Sequence, residues 1–230
     1  MCSFRSGILD SSIGNFFDYL AVNFNKLARI YNFSESIFFG DLLSRSRNRF
    51  LNYSVESTSI LLVGEGCGKF LNDLLRRNEF CEVTIIDSSS EMIRIQKQLI
   101  LPKDIHRVSF YCISINEFIV DRSFDLICTH FFWDCFSYKE IFTFLPHCMN
   151  LLKNDGFWIN SDFIDSEDRV LCPNYLKIRV MYWFFRISTG ISARKVESFY
   201  HLTIKNSFQL IDYDEIRTGF IKSEVFKKIA

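Results

Sequence analysis

Three glycines at alternate positions, Gly64, Gly66 and Gly68, separate an apolar, β-prone run from a stretch with helical periodicity. Glycine has no Cβ atom, so the backbone can turn tightly there and approach a ligand closely. The helix that follows offers unpaired N–H groups and the positive end of its dipole. Residues of this type at this spacing indicate a loop that holds a ligand at the end of a strand.

An acidic residue ends the next predicted strand. The run from Val83 to Ile86 is apolar and β-prone, and Asp87 follows it, 19 residues after Gly68. A carboxylate at the tip of such a strand can accept hydrogen bonds from both hydroxyls of a ribose. The succession of strand, glycine loop, helix, strand and acid therefore predicts a site for an adenosine-containing cofactor at the carboxyl ends of parallel strands.

A histidine and an aspartate follow the fourth predicted strand, residues 124–129, among aromatic side chains. The carboxyl end of this strand borders the crevice of a doubly wound sheet. Burial among aromatic rings favours the neutral imidazole, so His130 is suited to accept a proton from a hydroxyl or an amine. Asp134 could orient that imidazole or bind substrate. The alternative for His130 is a hydrogen-bonded structural residue.

Strands and helices must alternate to bring these residues to one edge of a sheet. The apolar runs and helical stripes predict an α/β fold of three layers, with a doubly wound sheet of seven strands. The predicted strands are 60–63, 83–86, 108–113, 124–129, 157–163, 208–216 and 219–226, and the predicted helices include 12–31, 36–51, 88–101, 137–152, 174–188 and 196–205.

Charge and cysteine content exclude several classes of protein. Lys plus Arg and Asp plus Glu both number 27, so no overall field attracts nucleic acid or an anionic membrane. None of the eight cysteines forms a C-x-x-C pair, which favours reduced core residues over a disulfide or zinc framework, and no metal is expected. No window approaches the ~18 apolar residues of a membrane span, and the first residues lack the apolar core of a signal peptide. These features favour a cytoplasmic protein.

The glycine spacing distinguishes two classes of cofactor. A dinucleotide fingerprint needs a third glycine three residues after the second, where this chain has Lys69, so the spacing disfavours an NAD-dependent oxidoreductase. The G-x-G-x-G spacing of Gly64, Gly66 and Gly68 instead resembles the first motif of class I methyltransferases, which bind S-adenosylmethionine (SAM). The segment LLKNDGFWI, residues 151–159, is also similar to the segment that leads into the fifth strand of that family.

The resemblance implies a Rossmann-like sheet of strand order 3-2-1-4-5-7-6, with the last strand antiparallel. It also implies a methyltransferase domain over 55–230, preceded by a helical cap over 1–54 that either covers the substrate end of the cleft or patches a sheet edge. The family often has acids where this chain has Leu62 and Ser114. The implied cofactor-binding residues are Gly64, Glu65, Gly66, Gly68, Asp87, Ser88, Met92, Ser114, Ile115 and Thr129. The implied substrate pocket includes Phe131, Phe132 and Tyr182, and the implied catalytic residues are His130 and Asp134.

In functional terms the resemblance implies a SAM-dependent methyltransferase. The acceptor would be a small molecule, hydrophobic or aromatic, methylated on an O, N or C atom. The alternative is a catalytically inactive protein of the same fold that acts as a binding or scaffold subunit, a hypothesis that the departures at Leu62 and Ser114 favour. The three glycines and Asp87 favour the enzyme, because a chain without the chemistry need not retain them.

Overall fold

A computed structural model describes residues 41–163, 208–216 and 221–229. Within these residues, seven strands form one sheet of order β3-β2-β1-β4-β5-β7-β6. The strands are β1 Ser59–Val63, β2 Glu82–Ile86, β3 Val108–Tyr111, β4 Phe124–His130, β5 Leu152–Phe163, β6 Phe208–Glu215 and β7 Ile221–Lys228. Strands β1 to β5 pair in parallel, and β7 pairs antiparallel with both β5 and β6. The predicted fold class and strand order are confirmed.

The described helices are α1 Leu42–Asn48, α2 Lys69–Arg77, α3 Ser90–Leu99 and α4 Tyr138–Asn150. Ser89 caps α3, because its hydroxyl accepts the backbone N–H of Met92 at 3.2 Å. Ser137 begins α4 with a capping box that Glu140 completes. Helix α1 falls inside the second predicted helix, whereas the helices predicted over 12–31, 174–188 and 196–205 lie outside the described residues.

Two apolar clusters, one on each face of the sheet, form the core. Side chains alternate along β1, so that Leu61 and Val63 join the cluster that includes α4, while Ile60 and Leu62 join the cluster that includes α2. We call these two sides the α4 face and the α2 face. Because helices cover both faces, the parallel strands are continuous apolar runs rather than alternating ones.

The parallel register brings the ends of the strands together. Val63, at the end of β1, pairs with Ile86 of β2 and with Thr129 of β4, and His130 pairs with Ser161 of β5. The loops that follow these strands therefore meet at one edge of the sheet, called here the carboxyl edge. The opposite side, where β1, β2 and β3 begin, is called the amino edge.

Serine hydroxyls hold α1 on the α2 face near the carboxyl edge. Ser223 of β7 lies 2.9 Å from the hydroxyls of both Ser46 and Ser161, measured between Oγ atoms. The Ser223 hydroxyl also donates to the carbonyl oxygen of Ser46 at 3.1 Å. These buried contacts place the next residue of α1, Arg47, beside the end of β4.

Strand β5 begins earlier than the sequence predicted. The predicted strand starts at residue 157, but Leu152 already pairs with Phe124, and the pairing resumes with Phe157 opposite Leu126. The residues between them bulge out of the ladder, and Asp155 adopts a left-handed φ of 61°. A bulge keeps the strand direction while it inserts residues, so turn-forming residues here interrupt the strand without ending it.

Four of the six described cysteines lie in the core as predicted, whereas Cys135 is half-buried and Cys112 is exposed. Cys67, Cys81, Cys112, Cys128, Cys135 and Cys148 are all free thiols. Among the described residues, no helix is long and apolar enough to span a membrane.

Candidate active site

The glycine loop adopts a backbone that other residues enter only with strain. Gly64, Gly66 and Gly68 have φ angles of 65°, 64° and 76°, all in the left-handed region. A Cβ atom added to Gly66 would meet no atom within 4 Å, so this residue faces open space. The loop therefore leaves room for a ligand against its middle glycine.

The first glycine is covered by an aromatic ring from the loop that follows β4. A Cβ atom added to Gly64 would lie 2.5 Å from Cδ2 of Phe132. The half-buried ring of Phe132 also packs on Trp133 and Phe136, with ring centroids 4.9 and 5.0 Å apart. The predicted cofactor loop and the predicted substrate pocket are thus in direct contact.

A buried glutamine supports the loop from α3. The Gln96 side-chain amide donates to the carbonyl oxygen of Gly66 at 2.7 Å, and its methylene groups pack under Gly68. Gln96 is absent from the site that the sequence predicts. The signal in the sequence was the position of Gln96 four residues after Met92, which puts both side chains on the same side of α3. In the structure Gln96 is fully buried, and a buried glutamine needs a polar partner.

Glu65 caps the helix that follows the loop. Its Oε1 atom accepts the backbone N–H groups of Phe70 and Leu71 at 2.9 and 3.1 Å. The carboxylate therefore satisfies two of the four N–H groups that a helix start leaves without a helical partner. Contact between Glu65 and a cofactor stays a prediction, since this oxygen already serves the helix.

Asp87 lies beside the open face of Gly66. Its carboxylate accepts the backbone N–H groups of Ser89, at 2.9 Å, and of Gly66. Burial raises the pKa of Asp87 to about 7, and these two N–H groups limit the rise. Two elements that are distant in sequence, the glycine loop and the end of β2, thereby form one polar cradle.

Ser88 and Met92 lie next to this cradle. Ser88 is half-buried, and its carbonyl oxygen lies 3.9 Å from Sγ of Cys112, the thiol donating. Met92 is buried against Cys67 of the glycine loop, with 3.8 Å between the two sulfur atoms. Both residues are therefore close to the loop, and their contact with a cofactor stays a prediction.

Ser114 and Ile115 start the short turn that follows β3. Ser114 forms a capping box with Glu117, whose carboxylate accepts the Ser114 N–H at 3.2 Å. The Ser114 hydroxyl also donates to Asn116. Ile115 is buried in the α4-face cluster. The Ser114 side chain thus stabilises the turn, and the predicted contacts of both residues with adenine stay predictions.

Thr129 turns its side chain into the core. Its hydroxyl oxygen accepts the indole N–H groups of Trp133 at 3.2 Å and Trp158 at 2.9 Å, and the residue is fully buried. It therefore links β4, β5 and the turn after β4. Its predicted contact with a cofactor stays a prediction.

His130 ends β4 on the α2 face, where its ring packs edge to face on Phe70 with centroids 4.5 Å apart. Burial, and then the positive charge of Arg47, lowers the pKa of His130 to about 3. The imidazole is therefore neutral at physiological pH, and its buried Nε2 atom has no hydrogen-bond partner.

Phe131 has a backbone conformation that is rare for a bulky residue. Its φ of 55° lies in the left-handed region, and its N–H donates to the Ser161 carbonyl at 2.7 Å. The ring lies 4.9 Å from that of Phe163, between centroids, and Arg47 stacks over it at 5.1 Å. Strain of this kind is concentrated at functional sites, where the surrounding structure holds it in place.

Asp134 lies beside Asp162, and its predicted contact with His130 stays a prediction. Asp162, at the end of β5, accepts the backbone N–H of Asp134, and the Asp134 carboxylate raises the pKa of Asp162. Asp162 is a second residue absent from the predicted site. Its position at the end of the fifth predicted strand was the available signal in the sequence. Its contact with Asp134, however, depends on how the ends of β4 and β5 meet in space.

The remaining predicted pocket residue, Tyr182, lies outside the described residues. No group of three or more histidine, cysteine or acidic side chains within the described ranges could hold a metal ion.

Comparison with known proteins agrees with this geometry. Residues 60–156 match a family model described as "Methyltransferase domain". Among curated proteins, none matches the sequence of this chain. The matched residues include the glycine loop, Asp87 and the loop after β4.

Solved structures of methyltransferases share the fold. The N-methyltransferase NodS from Bradyrhizobium japonicum WM9 is 14% identical, with 82% of this chain and 97% of that chain covered and a TM-score of 0.59. The plantazolicin methyltransferase BpumL, crystallised with a substrate analogue and S-adenosylhomocysteine (SAH), is 16% identical, with 96% and 100% covered and a TM-score of 0.59. An O-methyltransferase family protein from Burkholderia thailandensis is 14% identical with a TM-score of 0.67, and this chain covers 60% of its length.

Identities this low show the fold alone, and that fold is the class I methyltransferase fold. Together with the match over 60–156, they confirm the resemblance seen in the sequence. The seven-stranded sheet of this chain has that fold, and residues 60–156 within it match the methyltransferase family model.

Proposed function

We propose that this protein is a SAM-dependent methyltransferase that transfers a methyl group to an O, N or C atom of a small hydrophobic or aromatic acceptor. The observation that carries the proposal is the cradle formed by Gly66 and Asp87. Gly66 faces open space with a left-handed backbone, and the Asp87 carboxylate lies within hydrogen-bond distance of the Gly66 N–H.

These residues fit the chemistry of the cofactor. A ribose presents two hydroxyl donors, which a carboxylate at the end of β2 can accept. The missing Cβ at Gly66 allows the rest of the cofactor to approach the backbone. When bound, SAM supplies an electrophilic methyl group on a sulfonium. A structure of NodS and two structures of BpumL contain SAH, which supports this choice of cofactor.

The acceptor side of the site is aromatic. Phe131 and Phe132 follow β4 directly, and Phe132 is in contact with the cofactor loop at Gly64. Flat aromatic or apolar acceptors pack favourably on such rings. His130, neutral and with an unpartnered Nε2, is the candidate base for a hydroxyl or amine acceptor, although an oriented nucleophile can react without a base.

Calorimetric titration with SAM and SAH, with NAD as the control, tests the proposal. We expect micromolar binding of SAM and SAH and no binding of NAD. Binding of NAD instead would indicate an oxidoreductase. Binding of none of the three would overturn the proposal and favour a scaffold subunit that keeps the fold without the cofactor.

A further inference from the structure

The carboxylate of Asp162 is buried at the end of β5 and is only partly satisfied. The residue is 7% exposed, and its Oδ1 atom has no hydrogen-bond partner. With the Asn160 amide oriented to satisfy both of its ends, that amide donates to Oδ2 of Asp162 at 3.2 Å. The Asp134 N–H is a further donor to the carboxylate. One oxygen is thus held, and the other lacks a donor.

Two neighbouring acids raise the pKa of Asp162. Asp134 lies on the turn after β4, and Glu224 lies on β7, and both raise the pKa of Asp162 in addition to its burial. Lys222 of β7 forms an ion pair with Glu224, at 2.6 Å between Nζ and Oε1, so the positive charge of Lys222 is paired with Glu224. Asp162 is therefore a buried acceptor in a negative field.

An unsatisfied buried oxygen in a negative field favours one kind of ligand. A group that brings both an N–H donor and a positive charge satisfies the oxygen and offsets the repulsion between the acids. A neutral hydroxyl supplies the donor alone. An ammonium group supplies both, with three donors on one compact charge.

The acid pair lies close to the cofactor cradle. Asp134 is two residues after Phe132, whose ring covers Gly64. Asp162 also lies opposite Lys222 in the register of β5 and β7, and 22% of the Lys222 side chain is exposed. The proposed subsite would thus lie at the same edge of the sheet as the glycine loop.

We propose that Asp162, together with Asp134, forms the subsite that binds the protonated amino group of the methyl acceptor, which makes the acceptor an amine methylated on nitrogen. This inference rests on the proposed methyltransferase function and specifies its substrate class. An ammonium has no free electron pair, so it must lose one proton before its nitrogen can act as a nucleophile. The carboxylate of the pair that is still ionised, rather than His130, takes that proton: one N–H bond breaks, one O–H bond forms on that carboxylate, and the nitrogen keeps the electron pair.

Two probes with the same carbon skeleton, 2-phenylethylamine and 2-phenylethanol, test the subsite. Each is titrated by ligand-observed NMR into protein saturated with SAH. For the unmodified protein we expect the amine to bind at least about tenfold more tightly than the alcohol. In Asp162→Asn the two affinities should become equal. Asp155→Asn, which removes an exposed carboxylate paired with Lys227, is the matched control and should keep the preference.

The outcomes separate this inference from the function on which it rests. SAH affinity is measured first, and failure of the unmodified protein to bind SAH would overturn the methyltransferase proposal itself. If SAH binds but amine and alcohol bind equally, or neither binds, the amine subsite is wrong and the methyltransferase proposal stands. A preference that persists in Asp162→Asn would also overturn the subsite. Asp134→Asn provides a second variant, expected to reduce the preference, if Asp162→Asn does not fold.

Discussion

The two edges of the sheet differ in the hydrogen bonding of their buried polar groups. At the amino edge, Asn78 donates to the carbonyls of Ser54 and Ser57 and accepts the N–H groups of Phe80 and Cys81. At the carboxyl edge, buried atoms without a partner include Oε1 of Gln96, Nε2 of His130 and Oδ1 of Asp162.

Arg107 completes the network at the amino edge. Its guanidinium donates to the carbonyls of Asn78 and Leu75 at 2.9 and 2.7 Å, and to the carboxylate of Asp104. A saturated network of this kind ties loops together and stabilises one conformation. Unsatisfied buried groups cost stability instead, so their concentration at the carboxyl edge identifies the side of the molecule that is built for ligands.

Removing the arginine of the saturated network should give the largest effect on folding. Arg107→Met leaves the buried Asp104 carboxylate and three carbonyls without their donor. We expect the free energy of unfolding to fall by about 3 to 5 kcal/mol, measured by urea denaturation. Arg94→Met, which removes an ion pair with Glu91 at the surface, is the control and should leave the free energy of unfolding nearly unchanged. Equal losses of unfolding free energy in the two variants would show that the amino-edge network stabilises the fold no more than an ion pair at the surface does.

His130 should matter for turnover and little for cofactor binding. His130→Ala removes the neutral imidazole but leaves Gly66 and Asp87 in place. If His130 rather than the acid pair is the base, SAH formation from SAM with 2-phenylethylamine should slow by about 10²-fold while SAH affinity stays within about twofold. Because burial lowers the His130 pKa to about 3, no titration of this group should appear near pH 6.5 in the rate profile. Unaltered turnover would remove His130 from the mechanism.

Asp87 should show the reverse pattern, with weaker binding and intact folding. Asp87→Asn loses one or two charge-assisted hydrogen bonds to the ribose, which should cost about 1.5 to 3 kcal/mol of SAH binding by calorimetry. Asp155→Asn again serves as the control, because it removes an exposed charge far from the cradle in sequence. An unchanged affinity in Asp87→Asn would show that the cradle does not hold the ribose.

The raised pKa of Asp87 also predicts a pH dependence. Ribose hydroxyls bind the ionised carboxylate, so below the pKa of about 7 a proton must leave first, and SAH affinity should fall by up to about tenfold per pH unit. The folded pKa lies above the ordinary value of 3.8, so the stability that protonated Asp87 contributes is present below about pH 4 and is lost as pH rises through 7. Asp87→Asn should flatten both profiles, and a profile unaffected by the variant would assign the titration elsewhere.

The smallest effects should distinguish two glycines of the same loop. Gly64→Ala adds a Cβ that collides with Phe132, so unfolding should become easier by about 1 to 3 kcal/mol. Gly66→Ala meets no protein atom, and only its left-handed φ should cost about 1 kcal/mol. SAH affinity should nevertheless fall about tenfold in Gly66→Ala, because the new methyl group fills the ligand's space. Retained affinity in Gly66→Ala would contradict the cradle.

Much of the fold was predictable because it depends on local pattern. Apolar, β-prone runs such as Ile60–Val63 are typical of strands covered on both faces, and Ser89 and Ser137 begin helices through contacts within a few residues. The early start of β5 was missed, because a bulge at Asp155 has the same turn-forming residues as a true stop.

The site also contains residues that local sequence patterns predict and residues that only contacts between distant elements place. The sequence by itself determined the glycine loop and Asp87, because left-handed backbone and a strand-end acid have local signatures. Tertiary structure alone decided that Gln96 supports the loop, that Asp134 faces Asp162, and that the Thr129 hydroxyl serves two indoles. Each of these contacts joins side chains from elements far apart in the chain, and the direction of a side chain at a strand end depends on what packs against it.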